Sequence, residues 1–420
     1  MTRSFQDVSQ VVSWRLCLGC GACVLACPQG ALSLVDVEDE GLRPHRNRDR
    51  CAQCGTCLRV CPGISIDAPK ASPEAIPRLR EEWGNVLEIW EGYAADPEIR
   101  FLGSSGGIAT SLSLFCLEKG GMDGVLHIGP EARRPLVNAP VVSRCRDDLL
   151  RRTGSRYAPA APCSGLSLPE AGLSRLVFVG KPCDIVALRK WQEFKPEEDR
   201  RIAVVISIFC AGTPSTLGSR RILEKLGLDP GKVTSLRYRG CGWPGRTVAR
   251  IAAPTDGSDS AASHEDTLSY QEAWGDILSR HTQFRCRLCP DSTGELADLS
   301  CGDPWYRQIE PGDPGRSLVL VRTPRGARLL HEAMDAGFVR LEPADPDVLP
   351  RSQVSLLSRR RALWGRLAAF RMCRVPTPRY RGFSLFSDWR RLSVRERLRS
   401  LLGTFCRIRQ RRWNRPLRNG

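Results

Sequence analysis

The middle of the chain alternates short apolar runs with stretches whose apolar positions recur every three or four residues. Strands are expected at 124–128, 175–179, 202–209, 233–238, 247–252 and 318–322, where the runs are brief and rich in Val, Ile and Leu. Helices are expected over 108–119, 184–192, 215–226, 270–279 and 327–336. That alternation predicts an α/β body on a mixed sheet, within an overall α+β arrangement. Before residue 67 the rhythm is absent, and 67–82, rich in Pro and charge, reads as a linker. The expected units are therefore 1–66, the linker 67–82, a body at 83–345 and a helical tail at 346–420. The stretch 253–265, rich in Asp, Ser, Gly and Ala, should be an exposed loop.

In the tail, Val394, Leu398, Leu401, Phe405 and Ile408 step by four and three residues and mark one apolar helical face. Arg395, Arg397, Arg399, Arg407 and Arg409 lie largely off it, and Leu356, Leu363, Leu367 and Phe370 predict an earlier helix of the same kind. From residue 359 to the end there are 19 Arg and two acids, a charge of +17 that equals the net charge of all 420 residues. The rest of the chain is neutral, so the basic segment is an appendage with its own task. Bearing Trp389 and Trp413, it suits the surface of an anionic membrane. Docking on the protein's own body or on an acidic partner explains it equally well. Nothing else in the chain supports nucleic acid as a partner.

Two cysteine runs carry the chemistry. Cys17, Cys20, Cys23 and Cys27 precede Pro28, and Cys51, Cys54, Cys57 and Cys61 precede Pro62. Both read C-x2-C-x2-C-x3-C-P, in which three thiolates of one run hold one cubane and the fourth reaches the other. The spacing predicts a ferredoxin-like unit with one [4Fe-4S] cluster on Cys17, Cys20, Cys23 and Cys61 and a second on Cys51, Cys54, Cys57 and Cys27. Zinc would want two C-x-x-C knuckles further apart. A disulfide framework needs an oxidising compartment, and the polar stretch 1–14 shows no secretory signal. A cytoplasmic location follows as the expectation, with the tail allowing peripheral attachment to the inner face of a membrane. The longest apolar run, near 202–212, is too short to span a bilayer.

Two further features lie in the body. Gly103, Ser104, Ser105, Gly106 and Gly107 run into the helix expected at 108–119, which suits a phosphate or simply starts the helix. Cys183 and Cys210 follow strands, and Cys286 with Cys289 forms a C-x-x-C. Ends of strands are where α/β sheets place ligands, so the four could hold a third cubane. They could equally be two buried hydrophobes and a redox pair or half a zinc site. Cys116, Cys145, Cys163, Cys241, Cys373 and Cys406 lack ligand spacing and read as incidental or core. His281 reads as structural, while Asp298 and Asp303 could cap helices or donate protons.

GSSGGIAT at 103–110, GSRYAP at 154–159, FVGKPCDIVALR at 178–189, FCAGTPS at 209–215, YRGCGWPG at 238–245 and RCRLCPDSTGELADLSCGD at 285–303 carry a resemblance. In order and without large gaps over roughly 12–340, they resemble the beta-subunit family of coenzyme F-420 hydrogenases and dehydrogenases. That family includes 7-hydroxymethyl chlorophyll a reductases and often carries an N-terminal two-cluster ferredoxin domain. The resemblance implies FAD in the body beside a [4Fe-4S] cluster. It implies Ser104, Ser105, Gly106, Gly107 and Thr110 as the FAD phosphate loop, with Arg156, Tyr157 and Lys181 near the flavin. It also implies Cys183, Cys210, Cys286 and Cys289 as ligands of the third cluster, Cys301 ranking below them.

The function expected is an oxidoreductase that passes single electrons between clusters and FAD, which exchanges two with a small organic substrate such as a deazaflavin. All-Cys clusters of low potential suit ferredoxin or another redox subunit as partner. The alternative is a relay or partner-binding subunit without turnover of its own, in a membrane-associated, polysaccharide-related system.

Overall fold

The computed structural model describes residues 5–168, 174–252 and 265–417. Its strands are β1 (Leu32–Val37), β2 (Gly41–Arg46), β3 (Ser65–Asp67), β4 (Glu88–Ala94), β5 (Gly124–Glu131), β6 (Arg134–Ser143), β7 (Leu176–Gly180) and β8 (Ile202–Ile208), then β9 (Val233–Arg237), β10 (Thr247–Ile251), β11 (Glu265–Leu268), β12 (Leu299–Gly302), β13 (Ser317–Val321), β14 (Val339–Pro343) and β15 (Arg379–Arg381). Eight of them form one sheet in the order β14-β4-β13-β12-β8-β7-β5-β6. The centre, β12, β8, β7 and β5, is parallel, and both margins are antiparallel, so the sheet is mixed as the alternation predicts.

Alternate residues of the central strands serve opposite faces, the period-two rule made visible. Val177, Val204 and Ile206 join one core with the helices Ile108–Glu118 and Pro324–Asp335. Phe178 and Val205 join another beneath the helix Pro182–Phe194. With both faces covered, β8 reads as an almost unbroken apolar run. Each Val or Ile side chain so buried stabilises the fold by roughly 1.5–3 kcal/mol. A three-stranded sheet, β11-β10-β9, packs with the helix Thr216–Leu226 to one side.

The expected strands and helices lie within about three residues of those found, the strand at 124–128 running on to Glu131 and the helix at 327–336 starting at Pro324, except that 270–279 is a wide helical turn over Gln271–Ile277 followed by a tight one over Leu278–His281. The span 253–264 lies outside the described residues, and Glu265 already belongs to β11. Between the cysteine runs the chain forms the β1–β2 hairpin, Leu32 pairing with Arg46.

The cysteine-rich unit sits on the helix side of the sheet, with Cys20, Ala22, Ala26 and Val60 packed into the core under Pro182–Phe194. The tail docks over it. Leu363, Leu367, Phe370, Ile408 and Trp413 share a core with Val11, Leu16, Cys61 and Leu288, and β15 pairs in parallel with β3. Of the apolar face read from the tail, Leu401, Phe405 and Ile408 turn into this core. Val394 and Leu398 stay 63% and 50% exposed, so docking on the body uses only part of that face. Among the described residues no helix is long and apolar enough to cross a membrane.

Candidate metal centres

The two N-terminal runs are built alike. Gly21 and Gly55 take φ +84 and +72 before the four-residue helices Ala22–Leu25 and Thr56–Arg59, a turn that residues with a Cβ rarely make. The cysteines then separate across the runs. Cys17, Cys20, Cys23 and Cys61 line one pocket, walled by Val8, Leu34, Pro44 and Val60. Cys27, Cys51, Cys54 and Cys57 line a second, beside Asp7 and Arg46. A Cβ on Gly63 would stand 2.5 Å from the Leu16 carbonyl and 3.3 Å from Cys61 Sγ, so only glycine lets the chain pass under the first cavity.

Backbone amides already point at sulfur, Gly19 N–H to Cys17 Sγ at 3.4 Å and Ala31 N–H to Cys27 Sγ at 3.3 Å. Burial pushes the Cys20 and Cys23 thiols well up, and neighbouring cysteines push further. Burial, with Cys17 next, raises Cys61 to about 12. Such thiolates persist only beside a compensating cation, which a cluster's irons supply. A tetrahedral ion draws its ligands to one point about 2.3 Å from each sulfur. Among the described residues no three Cys, His, Asp or Glu side chains converge in that way. Four cysteines around each of two pockets match the donor set of a cubane.

The body cysteines also come together. Cys183 opens the helix after β7, Cys210 follows β8, Cys286 lies within the turn Phe284–Leu288 and Cys289 ends it. Cys183 interacts electrostatically with Cys210 and Cys289, and Cys210 with Cys286. The Thr213 amide donates to Cys286 Sγ at 3.4 Å. Asp291 fixes the following loop by accepting from the amides of Thr293, Gly294 and Glu295. From the tail, Arg360 donates to the Pro290 carbonyl at 3.2 Å, and the Tyr380 hydroxyl donates to the Leu288 carbonyl. Burial above all raises the thiols of Cys183, Cys210 and Cys289, the last two to about 11 and about 12, and for Cys289 the charge of Arg285 opposes it. Cys301 stands apart in β12, where burial alone lifts its thiol to about 12.

Lys181 lies with this group of cysteines. Its Nζ donates to Asp184 at 2.6 Å. Burial opposes its charge, but Asp184 and Cys183 outweigh that and raise its pKa. Two residues then join the cysteine sets of unit and body. Cys163, fully buried, donates its amide to the Cys20 carbonyl at 3.2 Å and its Sγ to the Asp184 carbonyl at 3.5 Å. Arg285, also fully buried, donates to the carbonyls of Leu288 at 2.9 Å and Pro62 at 3.2 Å and lies 5.6 Å over the Tyr380 ring. Its Nε has no partner, and it interacts with both Cys61 and Cys289. Spacing alone flagged neither residue.

The glycine loop keeps much of its hydrogen bonding inside the chain. Ser104 Oγ accepts from the Ser155 amide at 2.6 Å, Ser105 Oγ donates to the Arg316 carbonyl, and the Gly106 amide donates to Ser317 Oγ at 2.8 Å. Gly107 caps the helix Ile108–Glu118, and Thr110 pairs with Thr153 at 3.2 Å. Arg156 spends Nε on Asn138 and its two terminal nitrogens on the carbonyls of Leu236 and Pro135. Its side chain therefore clamps β6 to β9, and burial lowers its pKa.

Beside the loop is an aromatic group that the motifs contain but did not assign. Gly242 donates to the Phe101 carbonyl at 3.0 Å, which brings the turn 238–245 against the end of the helix before the loop. Arg239, 2% exposed, grips both carboxylate oxygens of Asp303, one at 2.9 Å, and Trp243 Nε1 donates to the same carboxylate at 2.9 Å. Tyr270 and Trp305 flank the guanidinium at 5.0 and 5.2 Å. Tyr157 bonds to Tyr270 and stacks obliquely on Trp274 at 4.7 Å. Asp303 thus neutralises a buried cation. Asp298 accepts from the Val205 amide, Thr323 and Arg325 at the start of the helix Pro324–Asp335. His281, its pKa lowered by burial, offers its carbonyl to the Ser215 amide.

The eight cysteines of the small unit, set against a mixed-sheet body, define an iron-sulfur oxidoreductase subunit. The chain belongs to the coenzyme F420 hydrogenase/dehydrogenase beta-subunit family, matching its N-terminal model over 89–167 and its C-terminal model over 173–347. Residues 16–63 match the 4Fe-4S dicluster domain, which makes this a [4Fe-4S] protein. The chain is 26% identical over 340 residues to the coenzyme F420-dependent sulfite reductase of Methanocaldococcus jannaschii, covering 77% of this chain but 46% of that one, so it spans about half of that relative. With the coenzyme F420 hydrogenase subunit beta of Methanothermobacter thermautotrophicus it is 28% identical over 62% of this chain and 86% of that one. A chain of the F420-reducing [NiFe] hydrogenase complex from Methanosarcina barkeri shares the fold with a TM-score of 0.51 at 20% identity, over 82% of this chain and 98% of that chain.

Proposed function

We propose that the protein passes single electrons between three [4Fe-4S] clusters and an FAD, which exchanges two with an organic substrate such as a deazaflavin. Cys17, Cys20, Cys23 and Cys61 would hold one cluster, Cys27, Cys51, Cys54 and Cys57 the second, and Cys183, Cys210, Cys286 and Cys289 the third. Clusters cycle by one electron and a flavin accepts two, so together they supply a one-to-two electron converter. The chain's own part is to bind, insulate and connect. Cys163 ties Cys20 to the Asp184 backbone, next to Cys183. Lys181 holds positive charge against Cys183 and Cys210. The flavin would lie between the glycine loop at 103–107 and the aromatic group around Tyr157, Tyr270 and Trp305. Relatives named for coenzyme F420 support a deazaflavin as the substrate class.

The observation that carries this reading is the gathering of four cysteines from three separate segments into one group beside the N-terminal unit. Anaerobic purification and reconstitution, followed by iron, sulfide and flavin analysis, tests it. About twelve Fe and one FAD per chain are expected. About eight Fe would confine clusters to the N-terminal unit, and absence of flavin would overturn the converter.

One observation favours a second reading, a relay subunit with no turnover of its own. Ser104, Ser105 and Arg156 already have partners within the chain. Protein that accepts electrons from dithionite, yet is inactive with deazaflavins and tetrapyrroles, would select it.

A further inference from the structure

The tail helix Val394–Gln410 is apolar over a broad face, and only part of that face meets the rest of the chain. Leu401, Phe405 and Ile408 turn into the core shared with the N-terminal unit. Val394, Leu398 and Leu402, each four residues from the next, stay half exposed or more. Such spacing aligns side chains along one side of a helix, here over about 12 Å at about 1.5 Å per residue. The two tryptophans that the sequence offers as interfacial anchors are engaged elsewhere. Trp413 is buried against Phe284 and Phe370, and Trp389 lies on Trp364 and donates to Ser400 Oγ at 2.9 Å. The folded helix leaves the aliphatic row open instead.

Arginines border that row. Arg395 and Arg399 run beside it, one residue on from Val394 and Leu398, and Arg409, seven residues after Leu402, returns to the same side. All three are exposed. The ion pairs of the tail engage Arg360, Arg361, Arg381 and Arg391, and among the described residues these three stand outside them. Both acids of the tail are committed. Asp388 is buried with Arg360, and Glu396 accepts from the Ser393 amide and hydroxyl to cap the helix. Two residues from Leu398, Glu396 also points away from the row. Between Val394 and Leu402 this side of the helix offers only aliphatic groups and guanidiniums.

We propose that this row and its arginines seat the protein on an anionic bilayer surface. Val394, Leu398 and Leu402 enter the boundary between headgroups and acyl chains, and Arg395, Arg399 and Arg409 meet the lipid phosphates. Charge selects the lipid. From residue 359 on, 19 Arg stand against two acids, an excess equal to the net charge of the whole chain, so the tail complements an anionic surface and gains little from a neutral one. Apolar exposure then separates the anionic partners. Duplex DNA takes up the guanidiniums but leaves the aliphatic row in water, whereas a bilayer takes up both. The seat forms whichever cofactors the cysteines hold.

Flotation of the full, anaerobically purified chain on phosphatidylcholine vesicles, with and without phosphatidylglycerol, tests this. The chain should float with the mixed vesicles at low salt, less as salt rises, and stay behind with phosphatidylcholine alone. Leu398→Gln/Leu402→Gln keeps every charge and should weaken partition about tenfold. Arg395→Gln/Arg399→Gln keeps the row and should weaken it about tenfold or more at low salt, with a flatter salt dependence. These four side chains are exposed, so iron content and melting temperature should match those of the native chain. Arg133→Gln/Arg134→Gln removes the same charge from exposed positions where β5 turns into β6, and should change little. Equal losses in both arginine pairs would reduce the effect to net charge and overturn the seat. So would unchanged partition of the leucine pair, or no flotation of the native chain with phosphatidylglycerol. Self-association in sedimentation that the leucine pair abolishes, without flotation, would assign the row to a second copy of the chain. Binding of an acidic ferredoxin or duplex DNA, again without flotation and lost in the Arg395 and Arg399 pair, would assign the arginines to that partner, and either result overturns the proposal.

Discussion

The amide of Cys163 donates to the carbonyl of Cys20 at 3.2 Å, across the seam between the N-terminal unit and the sheet-bearing body. Cys20 lines the first cysteine cavity, and Cys163 Sγ reaches on to the Asp184 carbonyl beside Cys183. Backbone thus connects two groups of thiols that are far apart in sequence. Because Cys163 lies outside both groups, Cys163→Ala should keep full iron content and cost about 1–2 kcal/mol in a denaturant melt. Cys20→Ala should lose iron. Equal iron loss in the two variants would make Cys163 a ligand and sink this assignment.

Spacing made the gathering of the eight N-terminal cysteines into two pockets legible, Cys61 with the first run and Cys27 with the second, because the intervals are short and local. The central strands were legible for a similar reason, since β8 and β13 are apolar on both faces. β4 was not, because Glu88 and Glu91 interrupt its pattern. Glu91 is buried where Tyr306, Arg307 and Arg316 converge on it, partners more than 200 residues away. β6 was hidden by Pro135 and Pro140, which an edge strand tolerates. Arg239 and Arg285 were invisible for a different reason. Their partners are a distant carboxylate in one case and backbone carbonyls in the other, and neither leaves a local signature.

Arg285 is a buried cation that interacts with one cysteine of each neighbouring group, and among the described residues it has no carboxylate partner. Positive charge there favours the more negative, reduced state of whatever those cysteines hold. Arg285→Met should lower the reduced-to-oxidised ratio at fixed potential about tenfold, which is about 59 mV for a one-electron couple. Arg285→Lys should recover most of that shift. Redox titration followed by electron paramagnetic resonance reads it, with the site at Cys27, Cys51, Cys54 and Cys57 as internal control. Matching shifts in both variants would indicate general loosening and not a charge effect.

Arg239 and Asp303 form a two-pronged ion pair inside the aromatic group. Burial alone would lower the pKa of the guanidinium, yet Asp303 more than offsets that and raises it. Asp303→Asn removes the compensation and should cost about 3–5 kcal/mol, read as a fall in melting temperature. Arg239→Met combined with Asp303→Leu should cost less, because neither charge is then stranded. If the single substitution is as mild as the double, the pair is not holding the group together.

His127 gives the fold a mild sensitivity to acid. The ring lies on β5, shares a hydrogen bond of 2.8 Å with the buried Ser143, and has its pKa lowered to about 4 by burial and then by Arg152. In the unfolded chain the group titrates near its ordinary value of about 6.5. Between those values the unfolded state binds the proton more readily, so stability falls as the pH drops through that window and loses nothing further from this residue below it. The total is at most roughly 3.5 kcal/mol, since each pKa unit is worth about 1.4. Urea midpoints measured between pH 7.5 and 4.5 should therefore decline for the native chain and decline less for His127→Gln, whose neutral side chain can still meet Ser143. Parallel curves for the two proteins would show that another group sets the acid limb.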